Sequence, residues 1–150
     1  MKRKYRYPGL AILSALAMLL ATTVTGSQKA KASVVAKIDL SSQRMNVYVN
    51  GRLRHRWKVS TGRRGYITPR GSYRAKWLSR HHRSRKYNNA PMPYAIFFRG
   101  GYAIHGTNHI RALGRRASHG CVRLHPRNAS RLFSLVRRHG LRNSRVVIKK

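Results

Sequence analysis

The sequence predicts a mostly-β domain with one short helix near its carboxyl end, on three observations. Apolar residues alternate with polar ones over short runs, as at Met45, Val47 and Val49 or at Tyr73, Ala75 and Trp77. That is the period of a half-buried strand. Turn signals separate the runs, among them Asn50-Gly51, Thr61-Gly62 and Arg99-Gly100-Gly101. One stretch repeats instead at helical spacing, with Ala129, Leu132, Phe133 and Val136 at i, i+3, i+4 and i+7.

Taken in order, 34–40 and 44–49 read as strands joined to a third, 53–60, by an Asn50-Gly51 hairpin turn. Asn-Gly suits that turn because both central residues need positive φ. In the third strand Leu53, His55, Trp57 and Val59 share one face, and His55 is a strand residue. Residues 63–71 read as loop and 72–78 as strand. Residues 79–93 read as a long basic loop, of the kind that serves as a lid or binding loop, and His81-His82 belong to it as solvated residues. Strands at 94–98 and 102–105 flank Arg99-Gly100-Gly101. Residues 108–117 are loop and 121–124 a strand. Pro126 suits the first turn of a helix, where its missing N–H costs nothing. Arg137, Arg138 and His139 favour the negative end of the helix dipole, and Gly140 can cap. A last strand covers 145–148.

The amino terminus has a different character. A positive start, MKRKYR, precedes the uncharged apolar run from Leu10 to Val24. Ala30-Lys31-Ala32 then offers small residues at −3 and −1 of a cut before Ser33. Residues 1–32 therefore read as a secretory signal peptide, with an uncleaved anchor helix as the alternative, and residues 33–150 as one exported domain. Its location is the periplasm or cell wall, membrane-anchored on the second reading.

Composition excludes several chemistries. The chain holds 34 Lys and Arg against a single carboxylate, Asp39, for a net charge of +33. A glycosidase needs two flanking carboxylates, and a calcium or magnesium cage needs several. Any histidine here is more readily oriented by a backbone carbonyl than by an acid. Six of the cations precede Ser33, so the domain itself carries 28 cations and one carboxylate, a net +27. Such charge speaks to polyanionic partners rather than to fold. With export, it favours anionic envelope polymers over nucleic acid, and life at an unusual external pH is an equal alternative source of the charge.

Chemistry concentrates between Ile104 and Pro126. This stretch holds the only cysteine, Cys121, and four of the eight histidines: His105, His109, His119 and His125. A lone thiol in an oxidising compartment cannot form an internal disulfide, and it needs a reason to persist. The reading is a cysteine nucleophile with His105 as its base. The basic surroundings are expected to lower the thiol pKa. The amides of Gly120 and Cys121 are candidates for an oxyanion site, with His119 beside them.

Ile-His-Gly-Thr-Asn at 104–108, followed by Ser-His-Gly-Cys-Val-Arg-Leu at 118–124, resembles the signature of the L,D-transpeptidase catalytic domain, the YkuD-like family. Upstream, Val-Ser-Thr-Gly at 59–62, Thr-Pro-Arg-Gly-Ser-Tyr at 68–73 and Met-Pro-Tyr-Ala-Ile-Phe-Phe at 92–98 resemble its other conserved blocks, in order. The resemblance implies a β-sandwich. It implies a thioacyl-enzyme route in which a cysteine attacks the L,D bond of a peptidoglycan stem peptide and releases the terminal D-residue. An amine, or water in an L,D-carboxypeptidase, then takes the acyl group. By position, Cys121 is the nucleophile and His105 the base, and the carbonyl of Gly106 orients the imidazole. His119 and Gly120 border the oxyanion site. Arg123 lies near the polar end of the substrate, and Ser118, at the family's Ser/Thr position on the substrate side, braces the loop. The reading assigns no cofactor and no metal, and takes the protein as a monomer. Two other readings are set against this one. The first is a zinc site from His105, His109, Cys121 and His125, whose spacing is ligand-like. The second is a basic envelope-binding module without catalysis.

Overall fold

The computed structural model describes residues 33–150, so the expected export segment at 1–32 lies outside the described residues. Among the described residues nine strands form two sheets, with one α-helix packed against them. The strands are β1 (Val34–Asp39), β2 (Arg44–Val49), β3 (Arg52–Lys58), β4 (Gly71–Arg74), β5 (Trp77–Arg83), β6 (Pro91–Arg99), β7 (Tyr102–Gly106), β8 (Val122–Leu124) and β9 (Ser144–Lys149), with α1 (Pro126–His139) between the last two. A five-stranded sheet has the order β3-β2-β1-β9-β4, and a four-stranded sheet the order β5-β6-β7-β8. This is the predicted mostly-β sandwich.

The core lies between the sheets and is closed by α1. Ala36, Ile38, Met45, Val47, Val146 and Ile148 enter it from the first sheet, and Ile96, Phe98, Ile104, Val122 and Leu124 from the second. The predicted helical stripe of Ala129, Leu132, Phe133 and Val136 is buried as one face. Gly140 caps the helix at φ 84, its N–H bonded to Val136 O at 2.9 Å. Asn50 and Gly51 take φ of 51 and 77, the left-handed pair the hairpin requires.

Three expectations are corrected. Residues 72–78 are not one strand. The chain leaves the first sheet after Arg74 and enters the second at Trp77, with the crossing held by Ala75 N to Ser144 O (3.0 Å) and Lys76 N to Phe97 O (2.7 Å). The long loop is also shorter than predicted. β5 runs on to Arg83 and β6 begins at Pro91, so only 84–90 is loop, and His82 is a strand residue packed edge-on against Trp77 and Phe97. β5 is an edge strand, and its polar sequence hides it from any alternation rule. Finally, a bulge between Val47 and Tyr48 pairs Leu53 with Tyr48, which removes Leu53 from the inward face shared by His55 and Trp57.

Candidate active site

β7 and β8 are parallel neighbours, with Ile104 beside Val122 and His105 beside Arg123. Ile104 and Val122 are fully buried toward the core. Alternation then sends Ala103 and His105, with Cys121 and Arg123, to the opposite face. A small second apolar cluster of Met92, Ala95, Phe97 and Ala103 lies there, and Cys121 packs against it. One sheet face thus carries the thiol and the imidazole.

Two clefts meet at the sulfur. One, of about 450 Å³, is lined by His105, Cys121, His119 and Arg123. The other, of about 530 Å³, is lined by Trp77, Phe97, Tyr102, Arg85 and Lys86 as well as Cys121. The loop at 84–90 lies between them, since Ser84 and Tyr87 line both. Tyr87 stacks on His119 with ring centroids 4.4 Å apart and planes 12° apart, and Tyr66 meets the same imidazole edge-on at 4.6 Å. His119 is therefore an aromatic spacer between two loops, at the junction of the clefts. Burial first, then Arg63 and Arg123, lower its pKa.

His105 is buried, and its Nδ1 lies 2.7 Å from Gly106 O. A carbonyl only accepts, so Nδ1 carries the proton and Nε2 keeps its lone pair. Burial pulls the pKa down to about 4, although the Gly106 bond works the other way. The ring is neutral at neutral pH. Cys121 Sγ approaches Gly101 O at 3.7 Å. The expectation of a lowered thiol pKa is overturned. Burial raises it, outweighing the Ala103 backbone N–H and the nearby Arg123 guanidinium. Net charge does not help a sulfur that desolvation has already made costly to ionise. Arg123 is itself half-buried, with Nη1 on Ala117 O at 3.2 Å.

The loop before the cysteine is braced from inside. Ser118 is fully buried. Its hydroxyl donates to Cys121 O (2.6 Å) and accepts from Gly120 N (3.0 Å). Both polar ends are occupied, so Ser118 shapes the loop rather than offering its hydroxyl to a ligand. The Gly120 amide is thereby engaged, which leaves the Cys121 N–H alone of the two expected oxyanion donors. Gly120 sits at φ 114, and a Cβ there would come within 2.7 Å of Tyr102 Cε1 and 2.8 Å of Ile67 O.

Sequence reasoning missed Thr68. Its hydroxyl accepts from Gly62 N and donates to Gly120 O, both at 2.8 Å. In a trans peptide the C=O and N–H point oppositely, so pinning Gly120 O aims the Cys121 N–H. Gln43 holds the layer behind, bonded to Thr61 through both ends of its amide. The one signal for Thr68 was its place in the Thr-Pro-Arg-Gly block. His125 caps α1, its Nδ1 accepting from Arg127 N at 3.2 Å. Among the described residues no three His, Cys, Asp or Glu side chains gather as a metal would need, so the four donors of the zinc reading do not converge.

The family model for the L,D-transpeptidase catalytic domain (YkuD) matches residues 33–148. The YkuD protein of Bacillus licheniformis is 26% identical over 103 residues, 66% of this chain and 58% of that one. A solved L,D-transpeptidase from Mycobacterium tuberculosis superposes with TM-score 0.72 at 23% identity, covering 79% of this chain and 58% of that chain. Another, from Stackebrandtia nassauensis, gives 0.70 at 26% identity, covering 87% and 62%. The chain thus spans about three fifths of the length of these relatives. With the fold shared and the model matched from Ser33 to Ile148, the chain belongs to the L,D-transpeptidase catalytic domain family.

Proposed function

We propose that the protein is an exported acyl transferase that uses Cys121 as nucleophile on peptidoglycan stem peptides. Residues 1–32 direct export and 33–150 form the catalytic domain, which works in the periplasm or wall. The observation that carries this reading is a single cleft lined by both Cys121 and an imidazole whose tautomer is fixed by Gly106 O.

The stem peptide's L,D carbonyl enters beside Cys121. As the sulfur attacks, its proton passes to His105 Nε2, and the carbonyl oxygen gains negative charge facing the Cys121 N–H. Collapse breaks the C–N bond. The departing D-residue's amine takes the proton back from Nε2, leaving a thioester on Cys121. An acceptor amine then adds to that thioester, His105 removes its extra proton, and the thiolate leaves and is reprotonated. The second cleft, which also reaches Cys121, favours an amine acceptor over water, because water needs no aromatic-walled cleft of its own.

The test is incubation of the purified protein with a defined tetrapeptide muropeptide, read by mass spectrometry. Loss of D-alanine, cross-linked dimers and an adduct at Cys121 are expected, and Cys121→Ala should abolish all three. Dimers distinguish transpeptidation from carboxypeptidation, which gives D-alanine loss alone. A carbapenem should likewise acylate Cys121. An unmodified protein mass after prolonged exposure, with unaltered muropeptides, would sink the proposal.

A further inference from the structure

The outer face of the five-stranded sheet faces solvent, away from both core and clefts, and it is cationic. Lys37, Arg44, Arg56, Lys58, Arg74 and Arg145 are all exposed there. They alternate with the inward residues Ala36, Ile38, Met45, Trp57 and Val146. Arg44 stands directly across from Lys58, and Arg74 directly across from Arg145. Like charges in register across a ladder are unfavourable, and two such pairs occur on this one face. The single acidic side chain, Asp39, stands directly across from Arg44 at one end of the face, and none lies beside the Arg74–Arg145 pair. The Oδ1 of Asp39 is spent on the Ser41 and Ser42 turn.

We infer that this face is a docking surface for a flexible phosphodiester polymer that lacks stacking bases. Arg56 and Lys58 lie about 7 Å apart along β3, and the Arg44–Lys58 and Arg74–Arg145 pairs about 5 Å apart between strands. Successive phosphates of one chain can therefore each meet a cation, and a guanidinium takes a phosphate through two parallel N–H bonds. Nucleic acid fits less well. Single strands are held by open aromatic faces, and Tyr48, the one aromatic on this face among the described residues, is covered by Lys37 Nζ at 4.6 Å from its ring centroid. Among the described residues no helix projects from the face to enter a duplex groove. The clefts lie on the other sheet, so a polymer bound here leaves them open and holds the domain beside its substrate. The inference does not depend on the acyl-transfer reading.

The test compares three forms of the full chain: wild type, a sheet variant (R44Q/R56Q/R74Q/R145Q) and a helix variant with equal charge removed (R127Q/R131Q/R137Q/R138Q). Binding to poly(glycerol phosphate), oligo(dT) and polyglutamate is titrated between 50 and 500 mM NaCl. The sheet variant should lose at least about tenfold in affinity for poly(glycerol phosphate) at physiological salt and show a shallower salt slope. The helix variant should lose less than about threefold. Wild type should prefer poly(glycerol phosphate) to oligo(dT) and polyglutamate. Relief of the opposed charges should leave the sheet variant's thermal midpoint unchanged or raised, which shows that it folds. Equal losses in the two variants would reduce the effect to bulk charge and overturn the inference. A wild-type preference for oligo(dT), or no binding to poly(glycerol phosphate), would overturn it too.

Discussion

Thr68→Val tests whether the loop around Cys121 is built as described. Valine replaces the hydroxyl by a methyl of similar size, so no cavity opens. Thr68 is 5% exposed, and its hydroxyl serves Gly62 N and Gly120 O, both at 2.8 Å. The substitution strands a buried donor and a buried acceptor, each costing about 1–3 kcal/mol. The sum is about 2–6 kcal/mol, a large fraction of the stability of a typical domain. Thr68→Ser keeps the hydroxyl and loses one buried methyl, at about 1 kcal/mol. Urea unfolding followed by the fluorescence of buried Trp57 gives the two stabilities. Acylation of Cys121 by a carbapenem under native conditions gives the second readout. If Gly120 O swings free, the Cys121 N–H loses its aim, and loss of one such donor slows acylation by about 10²–10³-fold. The serine variant should stay within about threefold of wild type. Equal stabilities for the two variants, with equal acylation rates, would refute the argument.

Gly120→Ala should abolish acylation and lower the thermal midpoint, because a Cβ at φ 114 would meet Tyr102 and Ile67 O; an active, fully stable alanine variant would contradict the loop geometry. His105→Gln should leave the fold intact by circular dichroism while slowing acylation by about 10²-fold or more, and a rate near wild type would exclude His105 as base. The pH profile of acylation should rise through about pH 4, where His105 loses its proton, and hold a plateau across neutrality. Stability should follow the same group: between pH 6.5 and about 4 the unfolded chain binds a proton that the buried imidazole refuses, so stability is complete above 6.5 and falls by about 3 kcal/mol on acidification through that window. Urea midpoints that do not change between pH 7 and 4.5 would refute the assigned burial effect.

What the sequence made legible was whatever one local rule governs. Asn50-Gly51 named its turn, and the stripe from Ala129 to Val136 named the buried face of the helix. The pairing of β7 with β8 was harder, yet the histidine and cysteine were found because each sits beside a glycine in a block of unusual composition. Other features depend on contacts that no local rule sees. Ser79 to Arg83 looks like loop because an edge strand with one neighbour has little apolar surface to declare. Trp77 and Tyr73 share an alternation but belong to different sheets, since the crossing at Ala75 and Lys76 is made by bonds to Ser144 and Phe97 far along the chain. Thr68 and Gln43 are polar loop residues whose roles exist only once Gly120 and Thr61 have been brought to them.

The site's electrostatics constrain how the proposed reaction must run. Burial pushes the Cys121 thiol up and pulls the His105 imidazole down to about 4, which widens the gap between them and favours both uncharged forms. The resting state is a neutral pair, and the proton must move as the sulfur–carbon bond forms and the oxyanion develops. A carboxylate behind His105 would narrow that gap by favouring the imidazolium. Here the orienting group is the Gly106 carbonyl, which fixes the tautomer without a full charge. Once formed, the imidazolium lies in a buried site near the Arg123 guanidinium, which disfavours the charge. It is therefore a strong acid, suited to protonating the leaving amine. A domain with almost no acids thus loses some power as a base and gains it as an acid. The consequence is specific: acylation should be more sensitive to the basicity of the leaving amine's replacement by a poorer proton acceptor than to pH between 5 and 8. A β-lactam, whose ring strain supplies part of the driving force, should acylate Cys121 over that whole range at nearly constant rate. A rate that instead climbed tenfold per pH unit there would mean that free thiolate, not the neutral pair, is the attacking species.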